Sequence, residues 1–376
     1  MEGSTLTQER IEKRNKRRER LHSKNIIISV ERYVHDTMYA MALALFSSIV
    51  MGVIFRTIGG ELNDLIGETF AGNGLILIGE YAGKMTGVAV GLAVAWVLRA
   101  PLLVIASVAA VGQMGAMYTG FGIDVPGGPF SALIAAMVGT EFGKLIYKET
   151  NLDHIITPAV TLLTGGFVAV FVGPATGWLL QTMGKGVMAM THWPPLLYSI
   201  CIAVVMGVFL TLPIISSAAF ALMIGLEGLP AGAAVAGCCA QMVGFAVIGY
   251  KVNGIHGILA QGLGTSMLQM SNIIRKPAIW IAPTVTAAIM GPVSTLIFHM
   301  TNNDAGAGMG TSGLIGQISA LSTMGAEAGI VVKIILVHVI LPAIIALAIS
   351  TFLIKKGVIS MEDYHIGSGY IRQKGI

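Results

Sequence analysis

The sequence predicts an all-α polytopic membrane protein of about ten transmembrane helices, with an internal repeat and re-entrant or broken helices. Three observations carry this. Apolar residues make up 55% of the 376-residue chain and charged residues only 11%, with a mean hydropathy of +0.79; a soluble domain carries about 25% charged residues. Residues 155–183 and 194–224 contain no charge at all, and a helix needs roughly 20 apolar residues to cross a hydrocarbon core. The apolar runs are too long, and too free of alternation, for the strands of a membrane β-barrel.

The elements follow in order. Residues 1–36 form a basic leader: nine Lys or Arg fall within residues 1–37, with a dense run from Arg10 to Arg20. Such a cluster before the first apolar run is expected on the cytoplasmic side, against anionic lipid, with no nucleic-acid partner. A cleavable signal peptide is not expected, because a long charged leader precedes the first apolar run. A transmembrane domain then occupies 37–355. Its spans are expected near 37–58, 73–98, 101–119, 129–147, 155–182, 195–224, 229–250, 278–300 and 329–354. Two shorter, Gly-rich stretches, 254–271 and 309–324, are expected to be broken or re-entrant, which backbone at membrane depth tolerates only inside protein or beside a wet cavity. Gly79, Gly83, Gly87 and Gly91, four apart, predict one close-packing helix face. Lys355 and Lys356 end the last run and place the tail, 356–376, on the leader's side.

The repeat is visible as ordered matches between 100–183 and 212–300. Ala100-Pro101-Leu102 matches Leu212-Pro213-Ile214. Pro126-Gly127-Gly128 matches Pro230-Ala231-Gly232, and Tyr147-Lys148 matches Tyr250-Lys251. Gly173-Pro174-Ala175-Thr176 matches Gly291-Pro292-Val293-Ser294. Three crossings per copy would make the copies inverted, the arrangement of many transporters. The second copy carries an insertion with His256, Gln261, Gln269, Asn272 and Arg275.

Two glutamates stand in similar glycine frames, Gly139-Thr140-Glu141-Phe142-Gly143 and Gly325-Ala326-Glu327-Ala328-Gly329, in a chain with only 19 acidic residues. A carboxylate in apolar surroundings is costly unless paired or hydrogen-bonded. Glu141 has Lys144 three residues on, a spacing that pairs on a helix. Glu327 follows the Gly-rich break with Asn302, Asn303 and Asp304, whose amides and carboxylate suit sugar hydroxyls. Expected substrate-binding residues are therefore Glu327, His256, Asn302, Asn303, Asp304, Gln261 and Glu141. Cys201, Cys238 and Cys239 read as buried small hydrophobes. No zinc spacing, GxSxG, HExxH or Walker loop is present, so no cofactor, metal site or catalytic residue is expected, and ATP hydrolysis by this chain is excluded.

The Gly-rich body, the segment Val138-Gly139-Thr140-Glu141-Phe142-Gly143, and the region Gly310-Thr311-Ser312-Gly313 through Gly325-Ala326-Glu327-Ala328-Gly329 resemble the membrane component (enzyme IIC) of the phosphoenolpyruvate-dependent sugar phosphotransferase system. The closer match is the PfoR-type branch, described as regulators of toxin genes. The resemblance covers about residues 30–355. It implies a homodimeric permease in the cell membrane that binds sugar through a histidine and a glutamate on re-entrant segments, with a separate cytoplasmic IIB partner supplying the phosphoryl group. Neither Gly139-Thr140-Glu141 nor Gly325-Ala326-Glu327 fully matches the Gly-Ile-Thr-Glu motif of sugar-type members. A membrane sensor that has lost phosphotransfer, and an ion-coupled carrier using Glu141 or Glu327, are the alternatives.

Overall fold

The computed structural model describes residue 19 and residues 21–213 and 216–366. Most of the expected leader (1–18 and 20) and the end of the expected tail (367–376) lie outside the described residues. The helices are α1 (Glu31–Ile66), α2 (Phe70–Lys84), α3 (Thr86–Val97), α4 (Leu102–Met117), α5 (Gly128–Ile146), α6 (Asp153–Met190), α7 (Pro195–Thr211), α8 (Ser217–Ile224), α9 (Gly228–Ile248), α10 (Tyr250–Leu259), α11 (Met270–Arg275), α12 (Pro277–Ile297), α13 (Asp304–Ala307), α14 (Ile315–Met324) and α15 (Ala328–Lys355).

By length and composition, α1, α5, α6, α9, α12 and α15 can each cross a membrane. The count becomes seven if α2 and α3 form one broken span, and α4 and α7 are apolar but shorter. The expected ten crossings are not reached by these criteria among the described residues. The single run expected at 73–98 breaks at Met85. The run expected at 195–224 ends at Thr211, where Leu212 turns extended (φ −77°, ψ 117°). Pro213 is the cause, since its ring clashes with a helical residue before it. Helix α8 restarts where the Ser216 hydroxyl accepts from the Ala219 N–H. Conversely, α6 is longer than expected: its 38 residues span about 57 Å at 1.5 Å per residue.

The chain divides into two compact units, residues 1–41 with 86–177, and residues 42–85 with 178–376. In the first, α3 packs on α4 through Gly87 and Gly91, where a Cβ would strike the backbone of Gly112 and Val108. Several charged residues of this unit are tied down. Lys144, 2% exposed, donates to Glu141 Oε1 at 2.8 Å and to the carbonyls of Asn25 and Leu98, each at 3.1 Å. Arg32 also donates to the Leu98 carbonyl, and Lys24 pairs with Glu149 at 2.7 Å.

The second unit is built around α9. Nearly all of this helix is buried, as expected of a helix apolar on every side. Its Ala and Gly residues let neighbours approach: a Cβ at Gly237 would meet the Ala203 carbonyl of α7. Hydroxyls bridge the same packing, Ser199 with Thr295 at 2.6 Å and Ser294 with the Gly232 carbonyl at 3.0 Å. Such interhelical bonds contribute about 0.6 kcal/mol each in lipid. After α15 the chain folds back, burying Ile359 and Tyr364 in a cluster with Phe245, Ile248, Ile273 and Ile279.

Candidate functional site

Two broken segments of the second unit meet beside α9. In the first, α10 is interrupted at Gly254 (φ 62°, ψ −161°), a conformation that only glycine takes without strain. The chain then widens into a π turn, Ala260–Gly264, a feature frequent at functional sites. Thr265 is extended, and its hydroxyl caps the short helix Ser266–Gln269.

The second segment begins at Asn302, which pairs through its backbone with Gly228 at 2.9 and 3.2 Å. The Asn302 amide donates to the Gly316 carbonyl at 2.8 Å. The Asn303 side chain caps α13 by accepting from the Gly306 N–H at 3.0 Å. Gly310 follows at φ +55°, with its α-carbon so close to Cys238 that a Cβ would meet the α9 backbone.

The join is made by Thr311, whose hydroxyl donates to the Gly262 carbonyl of the π turn. Its neighbour Ser312 is 2% exposed, and its hydroxyl has no protein partner. Further along α14, Gln317 donates to Cys239 Sγ at 3.4 Å and lies 3.3 Å from His338 Nδ1. Its carbonyl oxygen, Oε1, is likewise buried without a partner. Alongside, Gln241 of α9 accepts from the Trp280 indole at 3.0 Å and donates to Thr284 at 3.2 Å. Thr211 and Ser266 hydroxyls meet at 2.9 Å. These are hydroxyls, primary amides and an imidazole, groups that both donate to and accept from the hydroxyls of a neutral solute. Among the described residues no group of three or more His, Cys, Asp or Glu could hold a metal ion.

A family model described as "Phosphotransferase system, EIIC" matches residues 35–366. The chain belongs to the EIIC family. The match is to the family and does not separate its branches. No curated protein and no solved structure matches the chain. This EIIC protein is thus a multi-pass membrane protein and the membrane permease component of a phosphotransferase-system transporter.

The site residues expected from sequence fall in both units and differ in their surroundings. Glu141 belongs to the first unit and is bound to Lys144. Asn302 and Asn303 bond backbone groups of their own segment, and Asp304 opens α13 half-buried. Gln261 lies fully buried in the π turn, but its side chain faces away into a second network: it accepts from Gln269 at 2.8 Å and donates to the Gly257 carbonyl at 3.3 Å. His256 is exposed on α10. Glu327 is exposed at the N-cap of α15, where its side chain makes no capping bond. Thr311, Ser312, Gln317 and Gln241 were not selected from sequence. The available signal was a polar side chain inside an apolar helix, present at Gln241 and Gln317.

Proposed function

We propose that this EIIC protein binds a small polar solute, a sugar held by its hydroxyls, where residues 260–266 and 308–317 meet. The observation that carries this is Ser312: a buried hydroxyl without a protein partner, next to the threonine that joins two broken segments. Buried polar groups are nearly always hydrogen-bonded, so an orphan in a broken segment calls for a ligand or water. Gln317 Oε1 supplies a second open acceptor.

In this reading the chain positions and desolvates the solute, and a separate cytoplasmic IIB protein supplies the phosphoryl group. His256 and Glu327 remain the titratable candidates for contact with the moving solute, since both stand exposed at the ends of broken segments. The basic leader and Lys355–Lys356 support a cytoplasmic location for both ends in the cell membrane. The repeat finds support in similar bonds from two matched hydroxyls: Thr176 donates to the Gly127 carbonyl, and Ser294 to the Gly232 carbonyl one residue past the match of Gly127, each at 3.0 Å. Homodimer assembly follows from the family resemblance and is tested by cross-linking in membranes.

The test is uptake of labelled sugars into vesicles holding the purified chain, with and without a IIB protein. Uptake that falls at least tenfold in Ser312→Ala supports the reading. No binding or uptake of any sugar by the parent chain, in either condition, overturns it.

A further inference from the structure

The end of the described chain is held by an unusual number of polar side chains, all from the insertion that distinguishes the second repeat copy. Asn253 and Gln269 both donate to the Tyr364 carbonyl, at 2.8 and 2.9 Å. Asn272 donates to the His365 carbonyl at 3.0 Å, and Asn253 Oδ1 accepts from the Ile366 N–H at 2.7 Å. Lys276 pairs with Asp363 at 2.7 Å. Asp363 and Ser360 form a reciprocal capping box that shapes the segment. Tyr364 is fully buried, and its hydroxyl donates to the Ile279 carbonyl at 3.1 Å. An amide that bonds a main-chain carbonyl recognises backbone shape, so this clasp reads the conformation of residues 360–366.

The bonds continue inward. The Gln269 amide nitrogen that meets Tyr364 also donates to Gln261 Oε1 at 2.8 Å. Gln261 sits in the π turn Ala260–Gly264, and the next residue, Gly262, receives the Thr311 hydroxyl. Three side-chain bonds therefore lead from the terminal segment to the Thr311–Ser312 junction. Buried networks of this kind polarise and position one another, so loss of one member is felt along the chain of bonds.

We propose that residues 360–366 are a latch that regulates the solute site. Seated, the segment anchors Gln269 and through it Gln261, which holds the π turn in the position that receives Thr311. Released, the segment frees Gln269, the π turn loosens, and the junction opens by local unfolding. The regulatory role rests on the reading of that junction as the solute site; the mechanical link does not.

Hydrogen exchange read by mass spectrometry on the full reconstituted chain tests the link. In Tyr364→Ala, amides of residues 257–265 and 309–316 exchange at least tenfold faster than in the parent, while α5 is unchanged. Asp363→Asn, which leaves the buried ring in place, gives a smaller acceleration in the same two segments, and it carries the test if Tyr364→Ala fails to fold. Acceleration confined to residues 358–366 in either variant overturns the latch. Sugar uptake by the parent chain is measured separately, so absence of uptake with coupled exchange sinks the solute reading and leaves the mechanical link standing.

Discussion

Lys144 Nζ lies 2.8 Å from Glu141 Oε1, one helical turn away on α5. The same ammonium donates to the carbonyls of Asn25 and Leu98. The lysine thus closes the N-terminal segment and the end of α3 onto α5, and the glutamate offsets its charge.

Removing one partner of this pair should be far worse than removing both. Lys144→Met leaves a largely buried carboxylate without its cation and the Asn25 carbonyl without its donor, while Leu98 keeps Arg32, a class of change that costs about 3–5 kcal/mol. The double variant Lys144→Met with Glu141→Gln should recover a substantial part of that loss. Unfolding midpoints of the single and double variants in detergent measure the coupling. Equal losses in both would show that the charges do not depend on each other.

Ser312 separates binding from stability. Its hydroxyl has no bond to lose, so Ser312→Ala should leave the unfolding midpoint unchanged or slightly raised, because deleting an unpaired buried polar group removes its desolvation penalty of about 1–3 kcal/mol. Solute affinity should fall in the same variant. A large drop in the midpoint would mean that the hydroxyl supports the fold.

Gly310 should resist substitution. Gly310→Ala places a side chain at φ +55° and against the Cys238 backbone, a strain of about 1–3 kcal/mol. The expected result is a lowered midpoint and weaker Thr311-dependent binding. Normal stability in this variant would show that the second broken segment shifts freely away from α9.

The terminal clasp should weaken in acid. Burial raises the Asp363 pKa, but hydrogen bonds from Lys276 and Ser360 outweigh it, and the carboxyl is held below its ordinary value. With the folded pKa depressed, the stabilisation is fully present above the unfolded pKa and is lost as pH falls through the folded one. Protection of residues 358–366, taken as exchange relative to the intrinsic rate at each pH, should therefore hold at neutral pH and fall only as pH drops through and below the ordinary carboxylate range. Loss of protection near pH 6 would point to another group.

Much of the fold was legible because lipid makes composition informative. The charge-free run that became α6 and the Gly-Ala helix α9 announce themselves, and glycine content marked both broken segments. The spacing of Glu141 and Lys144 foretold their bond. The break after Thr211 was also readable in principle, from Pro213. The site was harder. Amides at 253, 269 and 272 need partners, but nothing local says that the partners lie 93 to 111 residues away in the terminal segment. Glu327 has apolar sequence neighbours, yet it stands exposed at a helix end, where its side chain makes no capping bond. The orphaned Ser312 hydroxyl is a property of three-dimensional packing alone.

Trp280 gives the network around Gln241 an optical signature. The other tryptophans, Trp96, Trp178 and Trp193, are about half exposed, at 50%, 56% and 45%, while the indole N–H of Trp280 is engaged by a fully buried glutamine. With those three replaced by phenylalanine, the emission maximum of the remaining indole would report rearrangement around Gln241 in vesicles holding the purified chain, with no dye attached.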